Sequence, residues 1–190
     1  MSVIKGKRII YLYRLLKEAS NNDAQAIAFT SENTRSKERD ADTVTTKDGT
    51  IRVPGEVEVE ISTTAIFASE NDEMIDKLEK AVDSGEMVEI WEVNLDKPGT
   101  ETENKGKFAA KYYHAYVTSF ELSSNSEDHA EASLDFAVDG KGADGYATVS
   151  DAQQEIAALV FKDTVKEAAQ QSEPTGEQSE PTGDEPAAME

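Results

Sequence analysis

The chain has 190 residues, with 19 basic and 39 acidic side chains, a formal net charge of −20 and no cysteine. Without cysteine there is no disulfide framework, thiolate catalysis or Cys-ligated zinc, and a pI near 4.4 points away from nucleic-acid phosphates and anionic membrane surfaces, which need clustered Lys and Arg. The charge is uneven: residues 1–60 are net neutral, 61–120 carry −6 and 121–190 carry −14.

From Arg8 to Leu16 both alternate sets are apolar: Ile10, Leu12 and Leu16 on one, Ile9, Tyr11, Tyr13 and Leu15 on the other. That suits a strand covered on both faces, by core and by a partner, with a helix as the competing reading. The basic start and short apolar run raise the question of a secretion signal. Arg14 ends that run and no small-residue cleavage site follows, so the expectation is a chain that is cytosolic when made. No apolar stretch approaches the roughly 20 residues of a bilayer span, and no membrane partner is expected.

Asn21-Asn22-Asp23 reads as a turn before a second strand, Ala24 to Thr30. Glu32 to Thr50 reads as a long polar loop, and loops of that length are uncommon unless functional or disordered. Its mixed charge (Arg35, Lys37, Glu38, Arg39, Asp40, Asp42, Lys47, Asp48) makes the region from Ser31 to Pro54 the candidate inter-subunit contact, ordered by charge pairs on assembly.

The strongest pattern runs from Thr46 to Ile61. Val57, Val59 and Ile61 alternate with Glu56, Glu58 and Glu60. A period of two predicts one long strand, continuing to Ile66, with an apolar face and a wholly acidic one. A helix over about 71–84 follows, with Met74, Ile75, Leu78, Ala81 and Val82 at helical spacing and Gly85 as its stop.

Glu86 to Leu95 returns to strand, Lys97 to Lys107 reads as a hairpin loop, and Phe108 to Leu122 is strand-like. Glu131 to Asp139 repeats the alternation, with Ala132, Leu134, Phe136 and Val138 inward and Glu131, Ser133, Asp135 and Asp139 outward. Gly140 to Gly145 reads as a turn, and a short helix is expected from about Asp151 to Phe161. From Lys166 the chain loses hydrophobes and repeats Ser-Glu-Pro-Thr-Gly at Ser172 and Ser179. Such a segment cannot bury enough apolar area to order itself, so residues 166–190 are expected as a disordered acidic tail after a 1–165 domain.

No chemistry-bearing constellation survives inspection. Asp40-Ala-Asp42 opens like a calcium loop, but the sixth position is Thr45 rather than Gly and the twelfth Ile51 rather than Glu. Gly140 to Gly145 lacks the Gly-Lys-Ser/Thr ending of a phosphate loop. His114 and His129 have no second histidine at ligand spacing. No catalytic residue, cofactor or metal is expected, and the acidic strand faces point to assembly.

In order, GKRIIYLYRLLKEA, AIAFTSENTRSKERDADTVTTKDGTIRVPGEVEVEIS, DKLEKAVDSGEMVEIWEVN, KYYHAYVTSFELSSNSED and SLDFAVDGKGADGYATVS resemble the major tail tube protein of long, non-contractile-tailed phages (siphophages) of Gram-positive bacteria. The resemblance covers residues 3 to about 165. It implies a mainly β, sandwich- or barrel-like subunit with one flanking helix. It further implies hexameric rings, stacked into a tube around a tape-measure protein and bounded by tail terminator and distal tail proteins. DNA would later pass through without sticking. Glu56, Glu58 and Glu60, and Glu131, Asp135 and Asp139, become candidate lumen-facing positions. The place implied is the virion tail, reached from the host cytoplasm. Two other readings stay open: a secreted β-sandwich binding or adhesion module using Tyr112, Tyr113 and Tyr116, and a single-ring tail terminator.

Overall fold

The computed structural model describes residues 5–68, 72–124, 126, 128–150 and 153–154. Within them run β1 (Ile9–Leu15), β2 (Thr30–Thr46), β3 (Gly49–Ile66), α1 (Asp72–Ser84), β4 (Met87–Pro98), β5 (Phe108–Ser123) and β6 (Glu131–Ala147). The strands form one antiparallel sheet in the order β1-β4-β5-β6-β3-β2. The mainly β class and the single flanking helix are as expected.

The sheet curls on itself. Tyr13 of β1 stacks on Phe136 of β6, ring centroids 5.5 Å apart. Its hydroxyl meets Thr63 Oγ1 of β3 at 2.6 Å and Asn33 Oδ1 of β2 at 3.2 Å. Because β1 and β2 are the two ends of the strand order, these contacts draw the sheet edges together over a concave side. That side holds the larger core, including Ile61, Val88, Ile90, Leu134 and Phe136. Each such side chain contributes roughly 1.5–3 kcal/mol on leaving water.

Helix α1 packs into the same core through Met74, Ile75, Leu78 and Ala81. Their spacing places them on one stripe of a 3.6-residue helix. Gly85 ends it in the left-handed region (φ +65°), and its N–H donates to the Ala81 carbonyl at 3.0 Å. A smaller cluster of Leu12, Val93, Leu95, Ala110 and Val149 sits on the convex side. β1 is therefore covered on both faces within one subunit, not by core and a partner as expected, and this satisfies its double apolar pattern.

Three further expectations need correction. Glu32 to Thr50 is no loop: β2 and β3 pair without a gap in chain order from Thr30↔Ala65 to Thr46↔Gly49. Arg35, Lys37, Glu38, Arg39, Asp40 and Asp42 are strand residues, and Lys47-Asp48 is the two-residue turn. The polar composition misled because most of this ribbon has solvent on both sides. Its β-branched Thr and Val residues and its ladder hydrogen bonds hold the strand without a core. The pairing slips twice, at Ser31 between Thr30 and Glu32, and again between Arg39/Ala41 and Val57/Pro54. There Gly55 admits the Asp40 carbonyl, 3.3 Å from where a Cβ would sit, and Pro54 needs no ladder donor.

Ala24 to Thr30 is not a full strand. Only Gln25 bridges Tyr13, with N–H to carbonyl bonds of 2.8 and 2.9 Å, before a turn at Phe29 (φ 55°). Gly140 to Gly145 is not a chain reversal either; it lies inside β6. Gly140 (φ +75°) and Gly142 (φ +73°) sit where the β5–β6 register jumps from His114↔Asp139 to Tyr112↔Ala143. Glycine permits the left-handed bulge without ending the strand. The expected 151–161 helix, apart from Gln153 and Gln154, and the 166–190 tail lie outside the described residues.

Candidate assembly surfaces: an acidic sheet face and a cationic cavity

The registers bring the two acidic sets onto one surface. β3 and β6 are neighbours, with Ser62 opposite Asp135, Ile66 opposite Glu131 and Glu60 opposite Ala137. Glu58, Glu60, Glu131, Asp135 and Asp139 therefore share the convex face. Glu56 is exposed beside the second slip in the β2–β3 pairing. β2 extends the surface by setting Glu38 opposite Glu58 and Glu32 opposite Thr64, and β5 adds Glu121 opposite Ser133. All these carboxylates are exposed. No Lys or Arg shares this part of the face from β2 residues 32–38, β3 58–66, β6 131–139 or β5 114–123.

β2 sorts its charges by parity. Arg35, Lys37 and Arg39 are opposite Ile61, Val59 and Val57, on the concave side, while Glu32 and Glu38 are on the convex side. This charge alternation is the signal that could have identified the strand. Of the candidate contact residues, Arg35 is already paired within the subunit. Its Nε donates to Glu92 Oε2 at 2.5 Å, and Tyr11 Oη donates to the same oxygen at 3.1 Å. The bond to Glu92 holds the Arg35 guanidinium above its ordinary range. Burial raises Tyr11 and Tyr13 well above the ordinary tyrosine value.

A second polar group, missed in the sequence, lies at the other end of the convex face. Arg14 Nε donates to the buried Glu89 at 2.7 Å, with its guanidinium carbon 5.0 Å from the Trp91 ring centroid. Tyr112 Oη donates to Glu89 Oε1 at 2.5 Å and meets His114 Nε2 at 2.6 Å. The hydroxyl has one proton; giving it to Glu89 makes His114 Nε2 the donor in the second bond. Desolvation, reinforced by Glu89, pushes Tyr112 up to about 12.

On the concave side a cavity of about 210 Å³ opens between the β2–β3 and β5–β6 ribbons. It is lined by Arg35, Lys37, Lys111 and Lys141 around Val59 and Tyr113, with Gly142 to Asp144 forming one wall. Lys111 pairs with Asp144; that bond raises the lysine and lowers the carboxyl. Among the described residues neither Lys37 nor Lys141 has a carboxylate at ion-pair distance. Four cations against Glu92 and Asp144 leave a positive cavity on a strongly negative chain.

The described residues include no group of three or more His, Cys, Asp or Glu side chains placed to hold a metal, and no helix long and apolar enough to cross a membrane. Residues 3–144 match the model of a phage tail tube protein family. The chain is 32% identical over 160 residues to a tail protein of Staphylococcus phage phiMR25, covering 83% of this chain and 81% of that one. Its fold is similar to the subunit of the SPP1 tail tube, with a TM-score of 0.66 at 20% identity over 92% of this chain and 96% of that chain. It is also similar to a chain in the tail of an empty gene transfer agent particle with C6 symmetry, at 0.54 and 18% over 77% and 100%. This chain belongs to the phage tail tube protein family and is a structural component of the virion tail.

Proposed function

We propose that the chain closes laterally into hexameric rings that stack into the tail tube, with the convex acidic face turned to the lumen as a conduit for DNA. The observation that carries this reading is the carboxylate face spanning β2, β3, β6 and β5 without Lys or Arg. Isolated on a monomer such a face is costly, since Glu38 and Glu58 are directly opposite and like charges so placed destabilise a ladder. In a lumen it repels phosphates, whereas cations would bind DNA by counterion release. Among the described residues the strand order leaves β2 as one edge of the sheet and β1 as the other, the latter covered only where Gln25 bridges Tyr13, and long edges are ordinarily paired or guarded. Lateral closure around a ring supplies that pairing, and an axial contact repeated without closure supplies the filament.

A tape-measure protein inside, a terminator at one end and distal tail proteins at the other complete the set of partners, with assembly in the host cytoplasm before incorporation into the virion. Neither catalysis nor a cofactor enters this role. Negative-stain electron microscopy of the purified protein across concentration tests the reading. Hollow tubes of uniform width are expected. Single rings that never stack would favour a terminator, and a persistent monomer would favour the binding-module alternative.

A further inference from the structure

We propose that the cationic cavity between the two ribbons is a carboxylate-binding socket that takes an acidic side chain from a second copy of this chain. The inference rests on self-assembly as proposed above and names the contact that drives it.

The cavity is built rather than incidental. Gly142 adopts φ +73°, and a Cβ there would lie 2.3 Å from Tyr113 Cε1 and 2.4 Å from Cδ1. Only glycine lets the β6 ribbon pass this close to the ring, and the bulge turns the β6 backbone to form one wall. Tyr113 is buried and provides an apolar floor. The site thus offers a recess of about 210 Å³ with an apolar floor and charged walls.

The charges around it are not balanced internally. Arg35 is held by Glu92 and Lys111 by Asp144, which fixes both as positioned walls. Lys37 and Lys141 are exposed and without an ion-pair partner among the described residues. They come from different ribbons, β2 and β6, so an incoming carboxylate would bridge them and tie the ribbons together. One acidic side chain fits within the volume and offsets one of the two excess positive charges.

The commitment to a second copy follows from charge complementarity. The chain carries 39 acidic side chains against 19 basic ones, so neighbouring copies present carboxylates at almost any approach. Bringing such subunits together is opposed by their mutual repulsion. A positive socket on each copy converts one of those approaches into an attraction and selects its register.

The test compares wild-type protein with the charge-reversed Lys37→Glu/Lys141→Glu double variant and the charge-retaining Lys37→Arg/Lys141→Arg variant. Assembly is followed by sedimentation and negative-stain microscopy across salt concentration. Circular dichroism melts check the fold, which exposed positions should leave intact. The reversed variant is expected to raise the concentration needed for assembly by at least about tenfold, since attraction becomes repulsion, and the arginine variant to assemble as wild type does. Tubes from the reversed variant at wild-type concentrations would overturn the socket while leaving the tube reading intact. Wild-type protein that never self-associates would overturn both. Wild-type protein that binds DNA, with binding lost in the reversed variant and assembly unchanged, would overturn the carboxylate assignment in favour of phosphate.

Discussion

Replacing Arg14 by methionine removes the cation from a carboxylate that water barely reaches. The side chains of Arg14 and Glu89 are 19% and 6% exposed, so the guanidinium keeps some hydration while the carboxylate keeps almost none. Breaking a buried pair from one side costs about 3–5 kcal/mol, because the remaining charge has lost both its partner and its solvent. Here the Tyr112 hydroxyl still donates to Glu89 and offsets part of that, which places the expected loss near 3 kcal/mol. For a chain of this size that lowers the melting temperature by roughly 6–12 °C. The single tryptophan is the reporter, since Trp91 is directly beneath the Arg14 guanidinium. Urea titration followed by its fluorescence, at concentrations where the protein is unassembled, gives the free energy. The Arg14→Met/Glu89→Met pair removes both charges and should recover to within about 1 kcal/mol of wild type. A single-variant loss under about 1 kcal/mol, or a double variant less stable than the single, would refute this account of the buried pair.

Two further perturbations read other parts of the fold. Tyr112 is raised from 10 to about 12; a raised folded-state value gives stability that is complete below pH 10 and lost as pH climbs towards 12. Partial exposure limits the effect to about 1 kcal/mol, so wild type should lose that much more than Tyr112→Phe between pH 9 and 12 in parallel urea titrations. Equal losses would remove Tyr112 from the network. Gly142→Ala should destabilise by about 2–4 kcal/mol, from left-handed strain plus overpacking against Tyr113, and should weaken assembly by narrowing the socket. A neutral melt would show that the bulge relaxes without strain.

What could be read from the residues divides along a physical line. β3 and α1 were legible because one side of each meets the core, and burial writes a period of two or 3.6 into the apolar residues. The outer parts of β2 and β3 have no core to write such a pattern, so strand residues there resemble a loop. Their signal was the alternation of Arg35, Lys37 and Arg39 against Glu32, Ser36 and Glu38. The glycines of β6 mark a bulge, and a bulge shares its residues with a turn. Both acidic sets were visible in the chain, but their sharing one face depends on β3 pairing with β6 across more than 60 residues. The socket draws on four strands and the Arg14–Glu89–Tyr112–His114 group on three, so local spacing could announce neither.

The central claim is that the carboxylate face of β2, β3, β6 and β5 lines a channel. A helical reconstruction of tubes formed by the purified protein tests it most directly. The account predicts six subunits per ring, with Glu58, Glu60, Glu131 and Asp135 pointing into the lumen. A tube with those four side chains on its outer wall, or buried between rings, would contradict it.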